Sequence, residues 1–294
     1  MIRYKKSIGE RIFDICNYLI LILMVIITLY PCYYVLVASV SSPTEIYNNG
    51  GLLLYPKKIA ANSYLEVLKH KPLWTGYRNS IFYILSGGFL SVSLTVTAAF
   101  ALTRKGLPGK NIIMLAILFT MYFSGGLIPT YVVVKSLGLL DTPLAMILPG
   151  AVSTYNLIIT ISYFKGLPNA LEEAAKIDGA NDYMIFFRIL LPLAKPVVAV
   201  ITLYYVVAIW NNYFTALIYI TKKSLQPLQM VLREILIQND TAAIAGSEQA
   251  DAAQAYAENV KYATIVVSTV PILCVYPFIQ KYFVKGVTIG AVKG

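Results

Sequence analysis

Few residues in this sequence are of types that do covalent chemistry, and those few stand apart. His70 is the sole histidine, which leaves no His-based metal centre or catalytic triad to expect. Cys16, Cys32 and Cys274 sit in or beside apolar stretches and suit packing better than disulfides or zinc. A phosphate-cradling loop is not expected either, because the nearest approach to one, around Gly106, Gly109 and Lys110, is too short. What remains is hydrogen bonding and stacking. Tyr205, Ala208, Asn212, Thr215 and Tyr219 recur at +3, +4, +3 and +4, and Pro149, Ser153, Asn156, Thr160 and Tyr163 follow similar spacing. On continuous helices each set forms one face, and a wall of amides, hydroxyls and rings suits a hydroxyl-rich ligand. Tyr155 beside Asn156, and Trp210, Asn211 and Tyr213 beside Asn212, extend the two stripes. The same residues have a structural use, since Ser, Thr and Asn bond between membrane helices while Tyr and Trp mark the lipid boundary.

A second constellation lies between Lys165 and Lys195. Pro168 suits a helix start, and Glu172 and Glu173 fall where carboxylates meet the positive end of the helix dipole. Ala174 and Ala175 keep that helix thin, and Gly179 has the character of a residue that turns left-handed and stops it. Asn181 can cap a second short helix, which Pro192 must end or kink. This second helix carries Met184, Ile185, Phe186, Phe187 and Ile189, more apolar surface than a free loop should show. Such a hairpin either inserts into a groove on another protein or lies on a membrane surface.

The elements that must position these residues are membrane helices. Of the 294 residues 58% are hydrophobic and 13% charged, and the charges leave six uninterrupted runs: 15–44, 79–103, 111–134, 142–164, 196–221 and 262–280. A bilayer-spanning helix needs about 20 predominantly apolar residues, whereas a soluble domain spreads charges along every element, so a soluble globular enzyme is excluded. The expected fold is an all-α integral membrane protein, a single domain over 1–294. Its six spans run near 12–40, 79–103, 111–134, 142–164, 196–221 and 262–281, with a cytoplasmic loop at 165–195 and a tail at 282–294. The first run is too long for a signal peptide and reads as an uncleaved span. Gly125, Gly126 and Pro129 should break the third span near its outer end. The net charge of +10 follows topology rather than nucleic acid: with both termini cytoplasmic, the inner segments carry the larger share of Lys and Arg, and no nucleic-acid partner is expected.

Glu173, Ala174, Ala175, Asp178, Gly179, Ala180, Phe186, Ile189, Leu191 and Pro192 together resemble the EAA loop, or coupling helix, of ATP-binding-cassette importer permeases. The tail Tyr282–Gly294 and the segment Trp210–Leu217 are similar to the MalG branch of the maltose-type sugar permeases. The resemblance covers essentially the whole chain. It implies a bacterial cell-membrane subunit that pairs with a second permease, two copies of a cytoplasmic ATPase and an extracytoplasmic sugar-binding protein. It also implies that ATP and Mg2+ are bound by the ATPases, with no cofactor in this chain and no catalysis by it. Glu172, Glu173, Ala174, Ala175, Asp178, Gly179, Ala180 and Phe186 would then couple to an ATPase cleft. Ser153, Tyr155, Asn156, Thr160, Tyr205, Trp210, Asn211, Asn212, Tyr213 and Thr215 would border the sugar pathway, as contacts or as wall and gate. The second outer loop, near 222–261, would reach the binding protein through Gln226 and Arg233, or simply form a solvated cap. The rival expectation is a self-sufficient secondary transporter or passive channel. Ion-coupled carriers usually hold an ionisable residue inside a span, and these runs hold none, which leaves the passive pore as the stronger rival.

Overall fold

Ser7 and Glu10 start the first helix reciprocally. The Ser7 hydroxyl accepts from the Glu10 amide at 3.2 Å, and the Glu10 carboxylate accepts from the Ser7 amide at 2.7 Å. From this box α1 runs over Ile8–Val40, with Pro31 inside it. The computed structural model describes residues 7–48, 53–56, 58–60, 62–104, 106–242 and 256–274. These are helical throughout their regular elements, and among the described residues the only β pairing is an isolated bridge between Ser41 and Ile59. The tail 282–294 lies outside the described residues.

The chain divides into two units. The smaller, residues 1–70 and 234–269, holds α1, α2 (Pro43–Asn48), α3 (Asn62–Lys69) and part of a late helix over 256–274. Its core is small and gathers at the end of α1, where Val37, Ala38, Ile46 and Leu53 pack with Tyr34 and Tyr262. Asn259 secures it by donating to the carbonyls of Ala38 and Ser41, both at 2.9 Å. The preceding turns of α1 are exposed, Phe13 and Ile27 among them.

The larger unit, residues 71–233 and 270–294, is built round α4 (Lys71–Thr103). One face of α4 buries Gly76, Ser80, Tyr83, Gly87, Ser91, Thr95, Ala99 and Leu102, at spacings of three and four. Small residues at that spacing let neighbouring membrane helices approach closely. Helices α5 (Lys110–Tyr122) and α6 (Leu127–Ser136) follow, bent by 117° where Gly125 and Gly126 stand. Gly126 has φ +86°, a conformation that residues with a Cβ resist. Next come α7 (Leu144–Ile147), α8 (Thr154–Lys165), α9 (Asn169–Ile177) and α10 (Asp182–Leu193). A bend of 77° leads into α11 (Lys195–Trp210), followed by α12 (Phe214–Tyr219) and α13, which starts at Leu228.

Three of the apolar runs are therefore not continuous helices, run 111–134 being broken at the bend between α5 and α6. Run 142–164 breaks between α7 and α8, where Pro149 and Gly150 stand, and run 196–221 breaks after Trp210. Among the described residues α1 and α4 are each long and apolar enough to cross a membrane unbroken, and the bent pairs α5–α6 and α10–α11 qualify when each pair is taken as one span.

Candidate functional site

The segment between α8 and α11 folds as the helix–turn–helix its residues dictate. Pro168 sits at the N-cap of α9, and Glu172 lies in the first turn. The helix ends in a Schellman turn: the Gly179 amide donates to the Lys176 carbonyl at 3.1 Å and the Ala180 amide to the Ala175 carbonyl at 2.9 Å. Gly179 carries φ +83°, and a Cβ built there would find nothing within 4 Å, so the site demands glycine for its backbone rather than for space. Asn181 then caps α10, its side-chain oxygen accepting from the Met184 amide at 2.9 Å.

α10 ends one residue past Pro192, at a 77° bend, in line with the expectation that this proline would end or kink it. The backbone widens into a π turn over Ile185–Leu190, in which the Leu191 amide donates to Phe186. The helix then continues through Pro192 to Leu193 and bends only at Ala194. A proline has no amide to donate and its ring crowds the carbonyl four residues back. The wider turn just before it relieves that crowding.

Neighbouring side chains on this hairpin divide between anchoring and display. Glu172 turns inward, where its Oε1 accepts from the Arg104 guanidinium beyond the end of α4 and, at 2.9 Å, from Lys176. Burial raises the pKa of this carboxyl, but the hydrogen bonds and charges of Lys176 and Arg104 outweigh burial and hold it below the ordinary value. Arg104 also lies over the Phe100 ring at 4.3 Å, and Phe100 packs on Phe186 with centroids 4.8 Å apart. Phe186 is thus buried in the core of the unit, with Ile185 packed against Ala175 and Leu190, although both were expected on the exposed apolar end. Glu173, Ala174, Ile177, Asp178, Tyr183, Met184 and Phe187 are among the residues displayed, together with the basic Lys176 and Arg188; Ile177 is 86% exposed.

The two polar stripes are shorter than their spacing promised. Pro149 precedes α8, so that stripe reduces to Ser153, Asn156, Thr160 and Tyr163 on one face. Asn156 and Thr160 are buried, and the Thr160 hydroxyl donates to the Asn156 carbonyl at 2.8 Å. Tyr205 is buried too, its hydroxyl 2.7 Å from the Thr95 hydroxyl and accepting from the Ser153 amide at 2.9 Å. One phenol therefore ties α4, α8 and α11 together. Asn211 donates its side-chain amide back to Val207 at 3.0 Å, and Asn212 accepts from the Thr215 amide at 3.1 Å, so the paired amides stop one helix and start the next. That break leaves Tyr205 and Ala208 on α11 and puts Thr215 and Tyr219 on α12. Trp210 is buried beside Tyr77, whereas Tyr155 and Tyr213 remain exposed, Tyr155 near Tyr204 at 6.2 Å.

At the other end of α4 the chain after α12 is strapped down. Asn79 donates to the carbonyls of Ser224 at 2.8 Å and Gln226 at 2.9 Å, Tyr83 donates to Leu225 at 2.7 Å, and Ser80 accepts from the Leu228 amide at 2.9 Å. Gln226 is consequently buried rather than displayed, while Arg233 is half-buried. Asp141, with φ +55°, accepts from the Thr221 amide and hydroxyl, both at 2.6 Å, and from the Lys222 amide at 3.0 Å. Its carboxyl is held below the ordinary range, first by the Thr221 hydroxyl and then by the two backbone amides. The sequence reading missed Arg104, Phe100, Asp141 and the small-residue face of α4; only the last had a signal in the sequence, its three-and-four spacing.

The family model of the binding-protein-dependent transport system inner membrane component matches residues 72–289, from α4 through the α9–α10 hairpin and beyond. The chain belongs to that family. Protein LplC of Bacillus subtilis (strain 168) is similar to this permease, at 43% identity over 284 residues, covering 97% of this chain and 96% of LplC. The polygalacturonan/rhamnogalacturonan transport system permease protein YtcP of the same organism is 40% identical over 285 residues, covering 97% of this chain and 99% of YtcP. A chain in the crystal structure of a bacterial ABC transporter involved in the import of the acidic polysaccharide alginate superposes with a TM-score of 0.86 at 34% identity. It covers 96% of this permease and 100% of that chain. As a member of an ABC transport family the permease works with ATPase and binding-protein partners, and it is a membrane protein.

Proposed function

We propose that this chain is one of two permease subunits that together form the pathway of an ATP-driven carbohydrate importer, crossing the membrane six times with both termini in the cytoplasm. The observation that carries this reading is the hairpin α9–α10: it is anchored by Glu172, Ile185 and Phe186 and displays Glu173, Ile177, Tyr183, Met184 and Phe187. A small apolar knob, fixed at its base and bordered by charges of both signs (Glu173, Asp178, Lys176 and Arg188), suits a cleft on a second protein. The cargo we infer is a uronate-bearing oligosaccharide. Its support is that YtcP is named for polygalacturonan and rhamnogalacturonan, and that the similar crystal structure comes from an importer of acidic alginate. This chain holds no ATP; the nucleotide and its Mg2+ belong to the paired ATPases.

Purification from detergent-solubilised membranes tests the reading. The permease should emerge with a second permease and an ATPase in fixed proportion. Hydrolysis should rise when a binding protein loaded with an oligogalacturonate or oligoalginate is added, and not with a neutral oligosaccharide. A stable permease without ATPase would favour the passive pore, and stimulation by neutral sugars alone would overturn the proposed cargo.

A further inference from the structure

We propose that Arg104 and Glu172 form the joint that makes the coupling hairpin and α4 move as one body. This rests on the reading that the 165–195 segment docks on an ATPase. It adds a positioning pair inside this chain.

The adjacent glutamates have opposite surroundings. The Glu172 side chain is 23% exposed and shared between Arg104 and Lys176, whereas Glu173 is exposed. Of the two cations on Glu172, Lys176 lies on α9 itself, one turn along, and its side chain is 55% exposed. It cannot connect the hairpin to anything else. Arg104 follows the last residue of α4 and its side chain is only 19% exposed, so it is the cation that crosses between elements. Its guanidinium lies over Phe100, and its Nε is buried without a hydrogen-bond partner. Glu172 and the ring are thus what hold the group in place. A guanidinium fixed on a ring face and bonded to a carboxylate sets one orientation.

The other side-chain links between the α9 end of the hairpin and α4 are apolar, Phe100 packing on Phe186 and on the cluster of Ala175, Ile185 and Leu190, while at the far end of α10 the Tyr163 hydroxyl donates to the Leu193 carbonyl at 3.1 Å. Apolar faces resist separation but offer little resistance to sliding, because their attraction is non-directional. Between α9 and the end of α4 it is the ion pair that supplies the direction. From Thr103, α4 extends over 33 residues to Lys71, passing the Tyr205 tie through Thr95 and ending beside the strap held by Asn79, Ser80 and Tyr83. A displacement at the hairpin is therefore delivered to the far end of the unit by a single helix. Without the pair the hairpin would shift on its apolar seat before α4 responded.

The test measures sugar carried per ATP hydrolysed in proteoliposomes containing the complete complex. Glu172→Gln should lower this ratio about tenfold, the size of one part-buried charge-assisted hydrogen bond, while the complex is still recovered with its ATPase. A loss of recoverable complex at an unchanged ratio would mean the pair is only structural and would overturn the proposal. The second variant is Arg104→Cys with Glu172→Cys, in a background where Cys16, Cys32 and Cys274 are replaced by Ser. Reduced, it should be as poorly coupled as Glu172→Gln; joined by a short thiol cross-linker, it should regain the wild-type ratio, because one body tolerates a covalent link. A cross-linked complex that hydrolyses ATP but carries no sugar would show that the two groups must separate, and would refute the joint. If instead wild type shows no hydrolysis stimulated by loaded binding protein, it is the ATPase-coupling reading that fails.

Discussion

Gly179 offers the sharpest perturbation of the hairpin, because its cost can be worked out from the backbone alone. At φ +83° a residue with a Cβ is strained, yet no atom of this chain lies within 4 Å of where that Cβ would stand. Gly179→Ala therefore carries left-handed strain of about 1–2 kcal/mol and no clash. Relaxing the turn offers little escape, since it would forfeit the bonds from the Gly179 and Ala180 amides, each about 1 kcal/mol. Helix α9 has only nine residues, too few to hold itself in water, so strain of this size is drawn from a small reserve. Substrate-stimulated ATP hydrolysis should fall about 5- to 30-fold in Gly179→Ala, with membrane insertion unchanged. Gly179→Asn should stay near wild type, because Asn tolerates the left-handed region. Gly179→Leu meets the same strain as Ala and its Cβ the same open space, so a loss well beyond that of Ala points to a partner surface against which the longer side chain is pressed. Stimulation by Gly179→Ala at the wild-type level, or an Asn variant as poor as the Ala variant, would refute this reasoning.

Tyr205→Phe should strand the Ser153 amide and remove the hydroxyl partner of Thr95, lowering stability by about 1–3 kcal/mol; the thermal midpoint in detergent reads this, and an unchanged midpoint with altered transport would assign Tyr205 to the cargo instead. Gly76→Ala would place a Cβ 3.0 Å from the Leu228 Cα and 3.2 Å from its amide nitrogen, backbone that yields little, so we expect a loss of about 1–3 kcal/mol and faster proteolysis after Lys222 or Lys223. Asp141 is held ionised by its three donors, so its contribution is complete above the ordinary carboxylate pKa of about 4 and is lost as pH falls through its lower folded value. Asp141→Asn should therefore lower the unfolding midpoint modestly at neutral pH, with the gap to wild type closing in acid; a gap that persists in strong acid would contradict the assignment.

The hairpin was the most legible part of the sequence because its rules are local. Pro168, Gly179 and Asn181 each act within a few residues of themselves, and each does what its chemistry dictates. Phe186 was misjudged because its partner, Phe100, lies on another helix, and no local pattern announces a ring packed against it from that distance. Arg104 stands in the sequence as one more cation beside an apolar run, and its partner Glu172 lies too far along the chain for any local pattern to join them. The stripes overran their helices because spacing was projected through breaks that were already written. Pro149 with Gly150, and Asn211 with Asn212, are stop signals, and the amides spend their hydrogen bonds on the breaks themselves. The apolar runs led straight to an all-helical membrane chain, since that follows from bulk hydropathy alone.

The central claim is that ATP hydrolysis on partner subunits drives cargo through this permease. The most direct measurement is uptake of a labelled uronate oligosaccharide into proteoliposomes containing the complete complex, with ATP enclosed and loaded binding protein outside. The account predicts accumulation above the external concentration only when both are present. Uptake that stops at equilibrium and is indifferent to ATP would contradict it and make the chain a passive pore.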